Sequence, residues 1–117
     1  MSYLLLIAEP VGQRATRTQA EGEAAYAQMR AFAEELQREG KLRAVESLTG
    51  LDQARRVQVR DGVARQIDGP FSEAKEMIGG FFLLQDVDEP QALAIAARCP
   101  AAAWATVEVR RLGPCFL

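Results

Sequence analysis

The order of apolar segments predicts an α+β fold: a split βαββαβ with an inserted β-hairpin, an antiparallel sheet carrying two helices on one face. Three observations carry this. Tyr3–Ala8 and Phe81–Leu84 are short, unbroken apolar runs flanked by breakers, which is strand behaviour without a wet face. Ala25, Met29, Phe32 and Leu36 recur at helical spacing, which makes one apolar stripe. Leu42–Leu48 and Thr106–Leu112 alternate as strands, each just after a helical segment.

Taken in order, the first strand ends at Glu9-Pro10-Val11-Gly12, and residues 12–18 form a polar loop. Thr18 and Glu21 have the spacing of a capping box, so a helix is expected over about 19–39, stopped by Gly40. In the next strand Leu42, Ala44, Glu46 and Leu48 would share one face. Glu46 then sits among apolar neighbours, either turned to water at an edge or bulge, or facing a pocket. Arg56–Arg60 and Val63–Ile67 flank Asp61-Gly62, the sequence of a two-residue hairpin turn, with Val57 and Val59 giving the hairpin one dry face. Gly79-Gly80 precede the second apolar run and mark a bulge or a close backbone approach. Asp88-Glu89-Pro90-Gln91 starts the second helix, which Cys99-Pro100 stops.

At 117 residues, 49% hydrophobic and 26% charged, the chain is expected to form one globular domain over 1–117. A net charge of −2 and the absence of a basic run argue against nucleic-acid binding. The opening apolar run is too short for a membrane span and lacks the flanks of a signal peptide, which predicts a cytoplasmic protein. In a reducing compartment a Cys99–Cys115 disulfide is disfavoured, and with no CxxC and no histidine neither a metal site nor a cofactor is expected. The missing histidine also excludes Ser-His-Asp and Cys-His chemistry, so any general base is a carboxylate, lysine, tyrosine or thiol.

Special backbone residues and reactive side chains are densest at Asp68-Gly-Pro-Phe71-Ser-Glu73-Ala-Lys75-Glu76. Asp68 and Lys75, with Glu46, are the candidate catalytic residues: a carboxylate to move a proton and a cation to hold negative charge. Phe71, Glu73, Glu76 and Trp104 are candidates for binding a small molecule in a cleft between sheet and helices, floored by this motif. For each, the simpler alternative is structural: Asp68 fixing the Gly-Pro turn, Phe71 packing, and the charges solvated. Two helices cover one sheet face, yet the two apolar runs call for cover on both. A two-fold homodimer packing sheet on sheet answers that need.

This motif, followed by Gly79-Gly80-Phe81, resembles the signature of the DGPF proteins of the YCII-related family. Tyr3-Leu-Leu-Leu6, Val59-Arg-Asp-Gly62, Ala97-Arg-Cys-Pro100 and Val107-Glu-Val-Arg110 match in the same order. The resemblance implies a ferredoxin-like dimeric α/β barrel. It also implies either an enzyme, since many relatives resemble small isomerases and oxygenases of the same fold, or a non-enzymatic binding or regulatory module associated with an extracytoplasmic-function sigma factor. For an enzyme, the carboxylates and lysine named above point to cofactor-free acid–base chemistry on a small organic substrate. The His-Asp pair of YCII proper has no counterpart in a chain without histidine. Trp104 stands where related chains often carry a polar residue or histidine.

Overall fold

The computed structural model describes residues 1–117. Strand β1 (Tyr3–Pro10) leads through a 3₁₀ turn to helix α1 (Gln19–Arg38), then strand β2 (Leu42–Ser47). Strands β3 (Arg55–Arg60) and β4 (Val63–Asp68) form the hairpin, followed by β5 (Glu76–Leu84), helix α2 (Glu89–Arg98) and β6 (Thr106–Arg111). The main sheet has the order β2-β5-β1-β6, and each neighbouring pair is antiparallel. Apart from the separate β3–β4 ribbon, this is the ferredoxin-like arrangement that the element order predicts. No helix is long and apolar enough to cross a membrane.

The capping residues set where the helices begin. The Thr18 hydroxyl accepts from the Glu21 N–H at 3.1 Å, while the Glu21 carboxylate accepts from the Thr18 N–H at 2.9 Å. Asp88 and Gln91 repeat the same reciprocal pair at α2. Such caps satisfy N–H groups that a helix end otherwise leaves open.

Register explains how one sheet face becomes core. Tyr3, Leu5 and Ile7 of β1 lie opposite Leu84, Phe82 and Gly80 of β5, and Val107 and Val109 of β6 continue that face. Leu5, Leu36 and Leu84 are fully buried there, and Phe32 meets Phe82 edge to face at 5.4 Å. A bulge between Leu42 and Ala44 shifts the phase of β2. Leu42 and Val45 therefore both pack on the core, which the simple alternation of that strand did not foresee. The opposite face carries Leu4, Leu6, Phe81, Leu83 and Ala44 half-buried and Ile78 exposed, with no element over them.

The hairpin departs from expectation in one respect. Its turn is as predicted, with φ of 53° at Asp61 and 75° at Gly62. Neither of its faces is dry, however: all residues of β3 and β4 are exposed. The ribbon stretches the molecule to 46 × 42 × 18 Å.

Candidate functional site

Only Phe32 and Leu36 of α1 are buried, both in its second half. The first half stands off the sheet and roofs a cleft of about 880 Å³, within the roughly 300–1,000 Å³ usual for small-molecule sites. Ala25, Met29 and Ala33 of α1 face Ile7, Val45 and Phe82 of the sheet across it, and Trp104 closes one end. Small residues on both walls, Gly22 and Ala25 above and Gly80 below, leave the space open.

A buried carboxylate lies at the inner end. Glu9 continues the helix-facing side of β1 after Tyr3, Leu5 and Ile7, and is the one buried charged residue. Arg14, on the 3₁₀ turn, donates from Nε to Glu9 Oε1 at 2.6 Å and from Nη2 to Oε2 at 3.3 Å. Its Nη1 also donates to the Leu48 carbonyl at 2.9 Å. The guanidinium thus ties the end of β1 to the segment leaving β2, and its donors are occupied within the chain. Gly79 makes the arrangement possible. It is the extra residue in the register of β5 against β1, and a Cβ there would run into the Glu9 carboxylate. At Gly80 a Cβ would come within 2.8 Å of the Glu46 carbonyl. The expectation of a bulge or a close approach at this pair is met by both.

The rim supplies charge. Arg17 and Arg30 line the cleft and pair with no carboxylate. The Arg17 guanidinium lies 5.7 Å from the Trp104 ring centre, and Gln13 holds the Trp104 carbonyl at 2.6 Å. Such stacking keeps a cation at the mouth without neutralising it. Glu46 is exposed on the edge strand β2 and borders the cleft, but it is paired in register with Phe81, on the sheet face away from α1. Tyr26 lines the cleft from α1.

Of the residues singled out from sequence, Glu46 and Trp104 line this cleft, whereas Asp68, Phe71, Glu73, Lys75 and Glu76 do not. The expected floor built from the Asp68–Glu76 motif is therefore corrected: the cleft is floored by β1, β2 and β5. The motif instead forms the shoulder of the hairpin. Asp68 is exposed, paired with Arg55 at 3.2 Å and accepting from Gln66 at 2.9 Å. Phe71 is buried beneath the Arg56 guanidinium, 3.5 Å from its ring centre. Glu73 accepts from Arg56 at 3.0 Å; its own backbone N–H and then Arg56 hold its carboxyl below the usual range. Lys75 and Glu76 are exposed, and the Lys75 carbonyl accepts from Val11 N–H at 2.9 Å. A Cβ at Gly69 would strike the Leu51 carbonyl, so the corner is packed tightly against the chain below it.

Taken singly, neither residue marks the Glu9–Arg14 pair in the sequence: Glu9 stands as the breaker ending an apolar strand, and Arg14 as one charge in a polar loop. The available signal was an acid on the same side as the three buried positions before it. Cys99 is buried, with its thiol pKa raised by burial, and lies outside the cleft lining. No group of three or more Cys, Asp or Glu side chains is arranged to hold a metal ion.

The YCII-related domain model matches residues 1–115. The chain belongs to the YCII-related family. Among solved structures, this YCII-related protein is similar to 5-chloro-2-hydroxyhydroquinone dehydrochlorinase from Burkholderia phenoliruptrix AC1100 in complex with 2,5-dihydroxybenzoquinone. The TM-score is 0.57 at 17% identity, covering 97% of this chain and 94% of that one. At that identity the likeness speaks for the fold. No curated protein sequence matches the chain.

Proposed function

We propose that this YCII-related protein is a cytoplasmic homodimer that binds a small, partly apolar organic anion in the cleft beneath α1. The observation that carries the proposal is the pairing of apolar walls with two uncommitted arginines at the mouth and a buried carboxylate at the inner end. Apolar walls take up the body of a ligand, and a few placed polar groups orient it. Arg17 and Arg30 supply the attraction for negative charge, and Trp104 offers a face for a ring.

If the cleft is catalytic, it performs cofactor-free acid–base chemistry. Glu9, the carboxylate on the helix-facing side of the sheet, takes a proton from the ligand, and the arginines hold the anion that forms. The dehydrochlorinase supports this, since a ring bearing several oxygens is what that protein of the same fold holds. The uncovered sheet face, with Leu4, Leu6, Phe81 and Leu83, supports the dimer.

A thermal-shift screen of hydroxylated benzoates, quinols and small carboxylates tests the site. A compound that stabilises the wild type should lose its effect in Arg17→Ala and Glu9→Gln and keep it in Asp68→Asn. A ligand effect abolished by Asp68→Asn and intact in both cleft variants would move the site to the hairpin shoulder. Light scattering tests the dimer: a monomer at micromolar concentration refutes it.

A further inference from the structure

We propose that the β3–β4 hairpin is an intersubunit arm, docking through Val57, Val59 and Ala64 onto a second copy of this chain, with the Asp68–Glu76 motif setting its angle. The inference rests on the dimer proposed above and adds the element that makes it stable.

The ribbon is well formed and unsupported. Its strands pair along their whole length, from Arg55 with Asp68 to Arg60 with Val63, and join no other strand. An isolated two-stranded ribbon is marginal in water and gains stability by packing. The register places Val57, Val59 and Ala64 together on one face. Val57 and Val59 are 68% and 59% exposed. The only charges on that face, Arg55 and Asp68, pair with each other at its base. The other face interleaves Val63 and Ile67 with Arg56, Arg60 and Arg65, the pattern of a wet side. The ribbon thus carries an exposed apolar cluster on one face, with Gln66 beside it, and nothing within the protomer covers it.

The ribbon's direction is fixed at its base. The Gly69 N–H bonds the Ala54 carbonyl at 2.9 Å, Phe71 is buried under Arg56, and Glu73 holds the same guanidinium at 3.0 Å. With this arm held outward the radius of gyration is 16.0 Å, against roughly 13 Å for a compact chain of this length.

Two arguments make the occupant a second copy. The first is charge. Residues 55–68 carry four arginines against two aspartates, hence +2; the chain totals −2, so the remainder carries −4. A basic arm meeting an acidic body is attractive between copies. The second is area. A four-stranded face about six residues long has a footprint of roughly 400 Å², about half of the ~800 Å² per partner that stable interfaces bury. Reciprocal arms add their own apolar face twice to the two-fold interface.

Dilution series by analytical ultracentrifugation on the full-length chain provide the test. The double variant Val57→Asp/Val59→Asp should raise the dimer dissociation constant at least tenfold, while Arg65→Gln on the wet face changes it less than threefold. Circular dichroism should stay that of the wild type, because the substituted side chains touch no core residue. In the wild type, hydrogen exchange at amides of β3 and β4 should slow as concentration rises through the dimer range. A dimer of unchanged affinity in the double variant, or arm exchange independent of concentration, overturns the arm and leaves the dimer standing. A wild-type monomer throughout overturns both.

Discussion

Replacing Arg14 with methionine keeps the side chain's apolar stem and removes its donors, isolating what the guanidinium does at the inner end of the cleft. The bonds lost are two to the Glu9 carboxylate, at 2.6 and 3.3 Å, one to the Leu48 carbonyl at 2.9 Å, and a long one to the Gly79 carbonyl at 3.5 Å. Hydrogen bonds to charged groups contribute about 1.5–3 kcal/mol each, but the Arg14 side chain is 39% exposed, and water screens part of that. Glu9, at 11%, has far less access to water and is left without its counter-charge. The two effects together give a loss of about 2 kcal/mol. For a domain of this size that lowers the melting temperature by about 8 °C. Urea unfolding followed by circular dichroism measures it, with Glu9→Gln and the double variant completing a cycle. A coupling energy of about 1 kcal/mol is expected. An equal cost of Arg14→Met in the wild-type and Glu9→Gln backgrounds would refute the coupling and reduce Arg14 to a carbonyl clamp.

Other substitutions probe the same geometry. Gly79→Ala should displace the Glu9 carboxylate, which can swing away, costing about 1–2 kcal/mol and abolishing any ligand-induced thermal shift. Gly80→Ala should destabilise more in the same denaturation assay, because its Cβ meets the β2 backbone at Glu46 rather than a side-chain end. Thr18→Ala removes the α1 cap and should cost about 1 kcal/mol. The Glu21 carboxyl is held below its usual range by the Thr18 backbone N–H and then its hydroxyl. That stabilisation is present above the unfolded carboxylate pKa and lost as pH falls through the folded one. Thr18→Ala keeps the backbone N–H and should flatten the acid limb of the stability profile only in part, whereas Glu21→Gln should remove the contribution. The Cys99 thiol has its pKa raised by burial. Above the unfolded thiol pKa the unfolded chain ionises while the folded one stays protonated, so stability falls as pH rises there. A thiol reagent near neutral pH should modify Cys115 and reach Cys99 only on unfolding, read by mass spectrometry.

The fold was legible in the sequence because each element carried its own local signal. The capping box at Thr18, the Asp61-Gly62 turn and the Pro90 start of α2 all depend on neighbours a few residues away. The cleft was less legible because its key contacts join distant segments. Glu9 can meet Arg14 because Gly79, in the facing strand β5, leaves room for the carboxylate, and room left by one strand cannot be read from the sequence of another. Val45 illustrates the same limit: strict alternation put it opposite Leu42, and the irregularity at Arg43 returned it to the core side.

The Asp68–Glu76 motif shows why density of reactive residue types is a weak guide to chemistry. Acids, a lysine, a glycine and a proline in nine residues are what an acid–base site needs, and they are equally what a sharp, solvent-facing corner needs. Burial separates the two cases. A carboxylate at a reacting centre is shielded from water and faces a cavity, whereas Asp68 is 62% exposed and satisfied by Arg55 and Gln66. Glu9, a single acid in an apolar strand, has the shielding that Asp68 lacks. What the motif controls is direction: Phe71 under Arg56, with Gly69 closed against Leu51, leaves the ribbon one way to point. A residue can therefore matter to function without touching a ligand. If the arm completes the dimer, Phe71→Ala should weaken dimerisation and leave the cleft's ligand-induced thermal shift in place, whereas Arg17→Ala should do the reverse.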